Sequence, residues 1–161
     1  MKTRPATAAD GPAITRLINT AFEVERFFIP NDRINLESVN RYMDTGCYLL
    51  AEDESGLCGL IYFEIRGIRG YFGMLSVRPD LQGRGLARML IHEVEKYLYN
   101  AQCRYLDIQI VDIRKELFPF YTKLGFVETG IEPFVKSDIA LMPCHFINMT
   151  KPLDESVLTL S

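Results

Sequence analysis

A strand, a glycine-bearing turn and an amphipathic helix follow one another directly in the middle of this chain. The strand ends with the apolar run Leu75–Val77, and the turn contains Gly83 and Gly85. Apolar residues then recur at helical spacing at Leu86, Met89, Leu90, Val94, Tyr97 and Leu98. This period predicts a helix from about 85 to about 100 with one face buried on a sheet. The helix N-terminus must therefore lie at the turn.

The turn has the properties of an anion site. Gly83 and Gly85 lack a Cβ, so a ligand can approach their backbone closely. The first amides of the helix have no partner within the helix and lie at the positive end of its dipole. Arg84 and Arg88 are four residues apart and add two guanidinium groups near the same helix start. The segment therefore suits a phosphate-bearing ligand.

The glycine pair alone leaves more than one interpretation open. A Walker-type phosphate loop requires Gly-Lys-Ser/Thr, which is absent from the sequence. A dinucleotide-binding Rossmann turn requires a small residue at position 88, where the chain has Arg88, and Asp107 lies inside the next predicted strand. A plain strand–helix connection is the favoured interpretation of an isolated glycine pair.

Two motifs in the expected order resemble one enzyme family. Gln82-Gly83-Arg84-Gly85-Leu86-Ala87 resembles the Q/R-x-x-G-x-G/A signature of the GNAT superfamily of N-acetyltransferases. Downstream, Phe120-Tyr121-Thr122-Lys123-Leu124-Gly125-Phe126 resembles that family's Y-x-K-x-G-F segment. The resemblance extends from about Thr3 to about Leu153. It implies an α/β fold with a mixed, mostly antiparallel central sheet, a splayed parallel strand pair and helices on both faces.

The resemblance also implies a coenzyme site. The turn would hold the pyrophosphate of acetyl-CoA, and the strand before it would hold the pantetheine arm as an added strand. Arg114 replaces an asparagine that often contacts the pantetheine in this family. The residues implied for acetyl-CoA binding are Leu75, Ser76, Val77, Gln82, Gly83, Arg84, Gly85, Leu86, Ala87, Arg88, Arg114 and Tyr121. Independently, Gly73 within a β-prone run predicts a bulge or a close backbone approach.

Tyr121 is the predicted general acid, which would return a proton to the departing coenzyme thiolate. The sequence does not identify the general base as clearly. Family members often have a glutamate twelve residues before the tyrosine, but this chain has Gln109, which cannot accept a proton at neutral pH. Glu23, Glu25, Glu64 and His145 are the candidate acceptor-site residues, with Glu25 as the candidate base or amine contact. A water chain that carries the proton to solvent is an equal alternative.

The composition limits the number of domains, the kinds of partner and the kinds of metal site that we expect. With 161 residues and 48% hydrophobic content, we expect one domain over residues 1–153 and a flexible polar tail over 154–161. The net charge of −3 and the scattered arginines argue against a nucleic-acid partner. The sequence has no apolar run of membrane-span length and no secretion signal, which predicts a cytoplasmic protein without a membrane partner. Four widely spaced cysteines predict reduced, mostly buried thiols and no metal site.

Local patterns predict a series of alternating elements. The expected strands cover about 2–7, 48–52, 57–65, 70–77, 105–111 and 143–150, and the strands at 70–77 and 105–111 are expected to be parallel through a right-handed crossover. The expected helices cover about 12–22 with Asp10 as cap, 36–43, 85–100, and a short segment from Arg114 or Lys115 to a cap at Gly125.

These observations predict direct transfer of an acetyl group from acetyl-CoA to a primary amine of a small molecule or protein, in a ternary complex. No cysteine has the activating neighbours that covalent catalysis requires. Two alternatives remain open: a non-catalytic module that binds or senses acyl-CoA, and a transferase that uses succinyl- or propionyl-CoA. We expect a monomer or a homodimer.

Overall fold

Seven strands form one mixed sheet in the computed structural model, which describes residues 1–159. The strands are β1 (Lys2–Pro5), β2 (Cys47–Asp53), β3 (Gly56–Arg66), β4 (Arg69–Val77), β5 (Tyr105–Val111), β6 (Val127–Pro133) and β7 (His145–Pro152). Their spatial order is β1-β2-β3-β4-β5-β7-β6, and only β4 and β5 run parallel within these residues. The predicted mixed, mostly antiparallel sheet is confirmed.

Helices cover both faces of this sheet. They are α1 (Gly11–Ala21), α2 (Leu36–Tyr42), α3 (Leu86–Asn100) and α4 (Leu117–Lys123). One apolar cluster joins α1 and α2 to residues such as Leu50 and Leu60, while the other joins α3 and α4 to residues such as Ile61 and Leu106. Because successive strand residues point to opposite faces, β2 and β3 contribute to both clusters.

The parallel pair separates soon after it begins. The register of β4 with β5 covers only Arg69 with Tyr105, Gly70 with Leu106 and Tyr71 with Asp107. Beyond Tyr71, β4 stays paired with β3 on its other side, but through an irregularity between Gly73 and Ser76. Met74 has a φ of 54° within this bulge. The bulge predicted from Gly73 is therefore present, and the edge of β4 that faces β5 is open from Phe72 onward.

Two helix boundaries differ from the sequence expectation. The Asp10 carboxylate does not cap α1, because it accepts hydrogen bonds from the Arg4 guanidinium and from the Thr7 backbone N–H. Helix α4 begins at Leu117, not near Arg114 or Lys115. The Leu117 N–H donates to the carbonyl of Arg114 at 3.1 Å, so the preceding residues form a tight turn.

Strand β6 and the end of the chain also differ from expectation. No predicted element covers Val127–Pro133, yet this segment pairs with β7, which inserts between β5 and β6. Near the C-terminus, Glu155–Leu158 form a 3₁₀ turn, and Val157 is buried in the cluster that contains α3. The expected polar tail over 154–161 therefore has a core contact at Val157, while residues 160 and 161 lie outside the described part of the chain.

Candidate functional site

A cleft of about 1300 Å³ opens where β4 and β5 separate. Its walls come from the open part of β4, the end of β5, the turn before α3, and α4. At the other end, the α1–α2 connection and the β6–β7 connection close around it. Ten of the twelve predicted coenzyme residues line this cleft, namely Leu75, Val77, Gln82, Gly83, Gly85, Leu86, Ala87, Arg88, Arg114 and Tyr121.

The turn before α3 presents backbone to this cleft. Gly83 and Gly85 have φ values of +79° and +82°, and a Cβ built on either would meet no atom within 4 Å. Gly85 is the N-cap residue of α3, and no side chain among residues 1–159 caps the first turn of the helix. The first amides of α3 are thus available to an anion, as the sequence predicts.

The side chains of this turn have different positions. Arg88 lines the cleft, whereas Arg84 is exposed outside it, so the two predicted guanidinium groups do not converge there. The Gln82 side-chain amide donates to the Val77 carbonyl at 3.3 Å and closes the turn onto β4. Ser76 is buried outside the cleft lining, with its hydroxyl bonded to the Met74 carbonyl at 3.0 Å.

Tyr121 lies in the wall of the cleft, on α4. Only 7% of this residue is exposed, and its ring packs edge-on against Phe120 and Phe126 and tilted against Phe72. Burial raises the pKa of the Tyr121 phenol well above its usual range, although the nearby Arg114 guanidinium acts in the opposite direction. The phenol therefore stays protonated at neutral pH.

Glu25 and Arg114 form an ion pair in the same cleft. Arg114 Nη1 lies 3.2 Å from Glu25 Oε2, and the two side chains are only 18% and 13% exposed. Burial raises the pKa of the Glu25 carboxyl, and the positive charges of Arg114, Arg33 and Lys136 oppose this rise. Arg114, predicted to contact the coenzyme, is thus paired with the candidate base that the sequence placed far from it.

The other predicted acceptor-site residues lie outside the cleft lining. Glu23 is exposed. Glu64 accepts hydrogen bonds from the Tyr62 hydroxyl and from Arg66, and His145 is exposed with Nδ1 3.7 Å from Asp112. These positions do not bring them together with Tyr121.

Gln109, at the position of the missing glutamate, lines the cleft from β5. Its side-chain amide donates to Glu132 Oε2 at 2.9 Å and to Asn148 Oδ1 at 3.0 Å. The amide therefore belongs to a polar ladder that crosses β5, β7 and β6.

Sequence reasoning missed the residues that two connections bring to the cleft. Arg33 comes from the α1–α2 connection, and Phe134 and Lys136 come from the β6–β7 connection. Neither segment has a motif or an amphipathic period that would mark it. Only the position of β6 beside β7 brings Lys136 close enough to Glu25 for their charges to interact.

Comparison with known families decides the wider assignment. The family described as the acetyltransferase (GNAT) domain matches residues 19–151. The chain belongs to the GNAT acetyltransferase family. An acetyltransferase of Yersinia enterocolitica is 32% identical to this GNAT chain over 83 residues, which are 52% of the chain and 59% of that protein. The aligned part thus spans little more than half the length of that relative.

Solved structures share the fold of this GNAT chain. Smu.2055 from Streptococcus mutans superposes with a TM-score of 0.79 at 16% identity, over 96% of this chain and all of that chain. The ribosomal-protein-S18-alanine N-acetyltransferase of Escherichia coli gives 0.76 at 15% identity, over 95% and 94%. The acetyltransferase yncA of Salmonella typhimurium, solved with its cofactor acetyl-CoA, gives 0.73 at 23% identity, over 96% and 95%.

Three further properties of residues 1–159 bear on the class of protein. No helix within residues 1–159 is long and apolar enough to cross a membrane. No group of three or more metal-ligating side chains lies together in the same range. Cys58, Cys103 and Cys144 are buried and Cys47 is half-buried, all four as free thiols, in agreement with the sequence expectation.

Proposed function

We propose that this GNAT chain transfers the acetyl group of acetyl-CoA directly to a primary amine. The observation that carries this proposal is the continuity of the cleft. An open β4 edge runs from the bulge at Met74 to the turn before α3, and the phenol of Tyr121 lies in the wall beside it. One extended ligand with a phosphate at one end and a thioester at the other fits this order of groups.

The donor half of the site uses backbone more than side chains. The pyrophosphate binds the amides of the turn and of the first residues of α3, with Arg88 as the side-chain partner that lines the cleft. The pantetheine extends along β4 and bonds the backbone groups that β5 leaves unpaired. The amide near Leu75 then polarises the thioester carbonyl, where negative charge grows as the amine attacks.

The leaving group defines the role of Tyr121. As the C–N bond forms and the C–S bond breaks, coenzyme A departs as a thiolate, which takes a proton from the Tyr121 hydroxyl. The phenol is protonated at neutral pH, so its proton is present when the thiolate departs. Direct attack needs both substrates bound together, and the cleft that Tyr121 lines extends from the turn before α3 to the α1–α2 and β6–β7 connections.

Glu25 is the proposed acceptor of the amine proton. Its carboxylate is bonded to Arg114, which in turn lies close enough to Tyr121 to affect the pKa of the phenol. A carboxyl with a raised pKa is a better base than an exposed glutamate, and position 109 offers none. Glu23, Glu64 and His145 lie outside the cleft lining, which favours Glu25 among the four candidates.

The decisive experiment measures thiol release from acetyl-CoA with a panel of amino acids, polyamines, aminoglycosides and peptides. We expect turnover with at least one amine, and Tyr121→Phe should reduce kcat by about 100-fold or more while the ring packing stays intact. Tyr48→Phe is the matched control, because Tyr48 is a buried phenol outside the cleft lining. Tight binding of acetyl-CoA without turnover on any amine would instead support the sensing module, and turnover only with succinyl- or propionyl-CoA would reassign the donor.

A further inference from the structure

Two cations line the acceptor end of the cleft without a carboxylate partner. They are Arg33, from the α1–α2 connection, and Lys136, from the β6–β7 connection. Neither residue takes part in an ion pair with an N–O distance of 4.0 Å or less among residues 1–159. Both side chains are partly buried, so the surrounding water screens their charges less than it would at an open surface.

The carboxylates nearby are already engaged. Glu25 bonds to Arg114, which also lies 3.5 Å from Glu116, and Asp32 pairs with Arg26 at 2.7 Å. Arg33 and Lys136 influence Glu25 from a distance, but neither has a carboxylate oxygen within 4.0 Å among residues 1–159. Burial and the neighbouring Arg33 guanidinium lower the pKa of the Lys136 ammonium group, although the Glu25 carboxylate acts in the opposite direction.

Arg33 is also held in place before any ligand binds. Its guanidinium carbon lies 5.1 Å from the centroid of the Phe22 ring, which is a cation–π distance. The surrounding walls of the cleft include Phe22, Ile29, Phe134 and Phe146. An apolar pocket with a small number of fixed charged groups is the usual form of a small-molecule site.

These cations do not belong to the phosphate end of the cleft. The turn before α3 follows the C-terminal end of β4, whereas Arg33 lies over Phe22, which packs in the same apolar cluster as Tyr71, at the opposite end of the open edge. A coenzyme that places its pyrophosphate on the turn extends toward Arg33 only with its acetyl group. The anion that Arg33 and Lys136 bind therefore comes with the acceptor.

We propose that the acceptor is a small amine that also carries a carboxylate, such as an apolar amino acid, with Arg33 and Lys136 on the carboxylate and Glu25 facing the amine. This assignment rests on the proposed acetyl transfer and narrows it. The neutral amine nitrogen attacks the acetyl carbon and loses one proton to Glu25 as the amide C–N bond forms. The C–S bond breaks, the coenzyme thiolate takes the Tyr121 proton, and exchange with solvent returns the proton of Glu25 to the Tyr121 phenolate. The carboxylate remains unchanged in the N-acetyl product.

The test compares acceptors that differ only in the carboxylate. Leucine is compared with leucinamide and 3-methylbutylamine, and phenylalanine with 2-phenylethylamine, at saturating acetyl-CoA. We expect kcat/KM to be about tenfold or more higher for the amino acids, because a charge-assisted bidentate contact is strong. Arg33→Gln and Lys136→Gln should each reduce this preference and leave KM for acetyl-CoA unchanged. Arg16→Gln, an exposed cation of α1 outside the cleft lining, is the control.

A binding measurement keeps the two proposals distinguishable. With coenzyme A present, N-acetylleucine should raise the thermal midpoint of the wild-type chain and N-acetylleucinamide should not, and the doubly substituted Arg33→Gln, Lys136→Gln chain should lose the difference. Equal responses to the two compounds, or equal kcat/KM for the amino acids and their amines, would overturn the carboxylate site. Carboxylate-dependent binding without turnover would support the carboxylate site and reject acetyl transfer. Turnover that does not depend on the carboxylate would support acetyl transfer and reject the carboxylate site.

Discussion

Gly83→Ala separates the contribution of the turn to folding from its contribution to ligand binding. Gly83 has a φ of +79°, and a Cβ there would meet no protein atom within 4 Å. Alanine at position 83 therefore destabilises the folded state only through its unfavourable left-handed backbone conformation, by about 1–2 kcal/mol. In a chain of this size each kcal/mol lowers Tm by about 2–4 °C.

Gly67 supplies a matched control. It lies in the β3–β4 turn with a φ of +66°, and a Cβ there would also meet nothing within 4 Å. Gly67→Ala should therefore reduce Tm by a similar amount. Gly67 does not line the cleft, so this variant should bind acetyl-CoA as the wild type does.

The two variants should differ in acetyl-CoA affinity. In Gly83→Ala the new methyl group fills space that the pyrophosphate needs against the backbone, and we expect Kd to rise about tenfold or more, equivalent to about 1.4 kcal/mol. Isothermal titration with acetyl-CoA measures Kd, and a thermal melt without ligand measures Tm. Equal affinity of the two alanine variants would refute the assignment of the turn as the phosphate site.

Two further predictions concern buried charges. Glu25→Gln should lower kcat/KM about tenfold or more. Because burial raises the pKa of Glu25 in the folded chain, ionisation of this carboxyl destabilises the folded state as pH rises above the pKa of the unfolded chain. The variant should therefore have a higher Tm than the wild type at pH 7.5 but not near pH 4. Lys151→Met should lower the free energy of unfolding, measured in urea, by about 3–5 kcal/mol. The substitution removes the cationic partner of the fully buried Glu95 carboxylate, which Lys151 Nζ contacts at 2.7 Å. Adding Glu95→Leu should restore most of that loss, and a single-variant loss below about 1 kcal/mol would contradict the argument.

The wall of the cleft that β4, the turn and α3 form could be predicted because its sequence information is local. Strand β4, the glycine turn and α3 are contiguous in sequence, and each has a strong signal in apolar period or glycine placement. The same holds for Gly125, whose φ of +101° agrees with the predicted helix cap. The bulge could be located near Gly73, although the residue with the unusual φ is Met74.

The opposite end of the cleft, the proposed acceptor site, could not be predicted because segments distant in sequence form it. Strand β6 has six exposed residues of seven, so no alternation of apolar and polar residues marks it. Without β6 there is no reason to place Lys136 at the cleft. The pairing of Glu25 with Arg114 joins residues 89 positions apart, which no local pattern reports.

The contacts that β6 and β7 make with β5 also explain why a glutamine suits position 109. Gln109 Nε2 donates to Glu132 Oε2 at 2.9 Å, and Asn148 donates to the same oxygen at 2.9 Å. A glutamate at position 109 could not donate, and it would bring a second carboxylate to the position of that amide, where two ionised groups repel. The β6 strand thus makes a base on β5 unfavourable in this chain. In the proposed acetyl transfer the proton acceptor is therefore assigned to Glu25, a carboxylate of the cleft lining whose pKa burial raises.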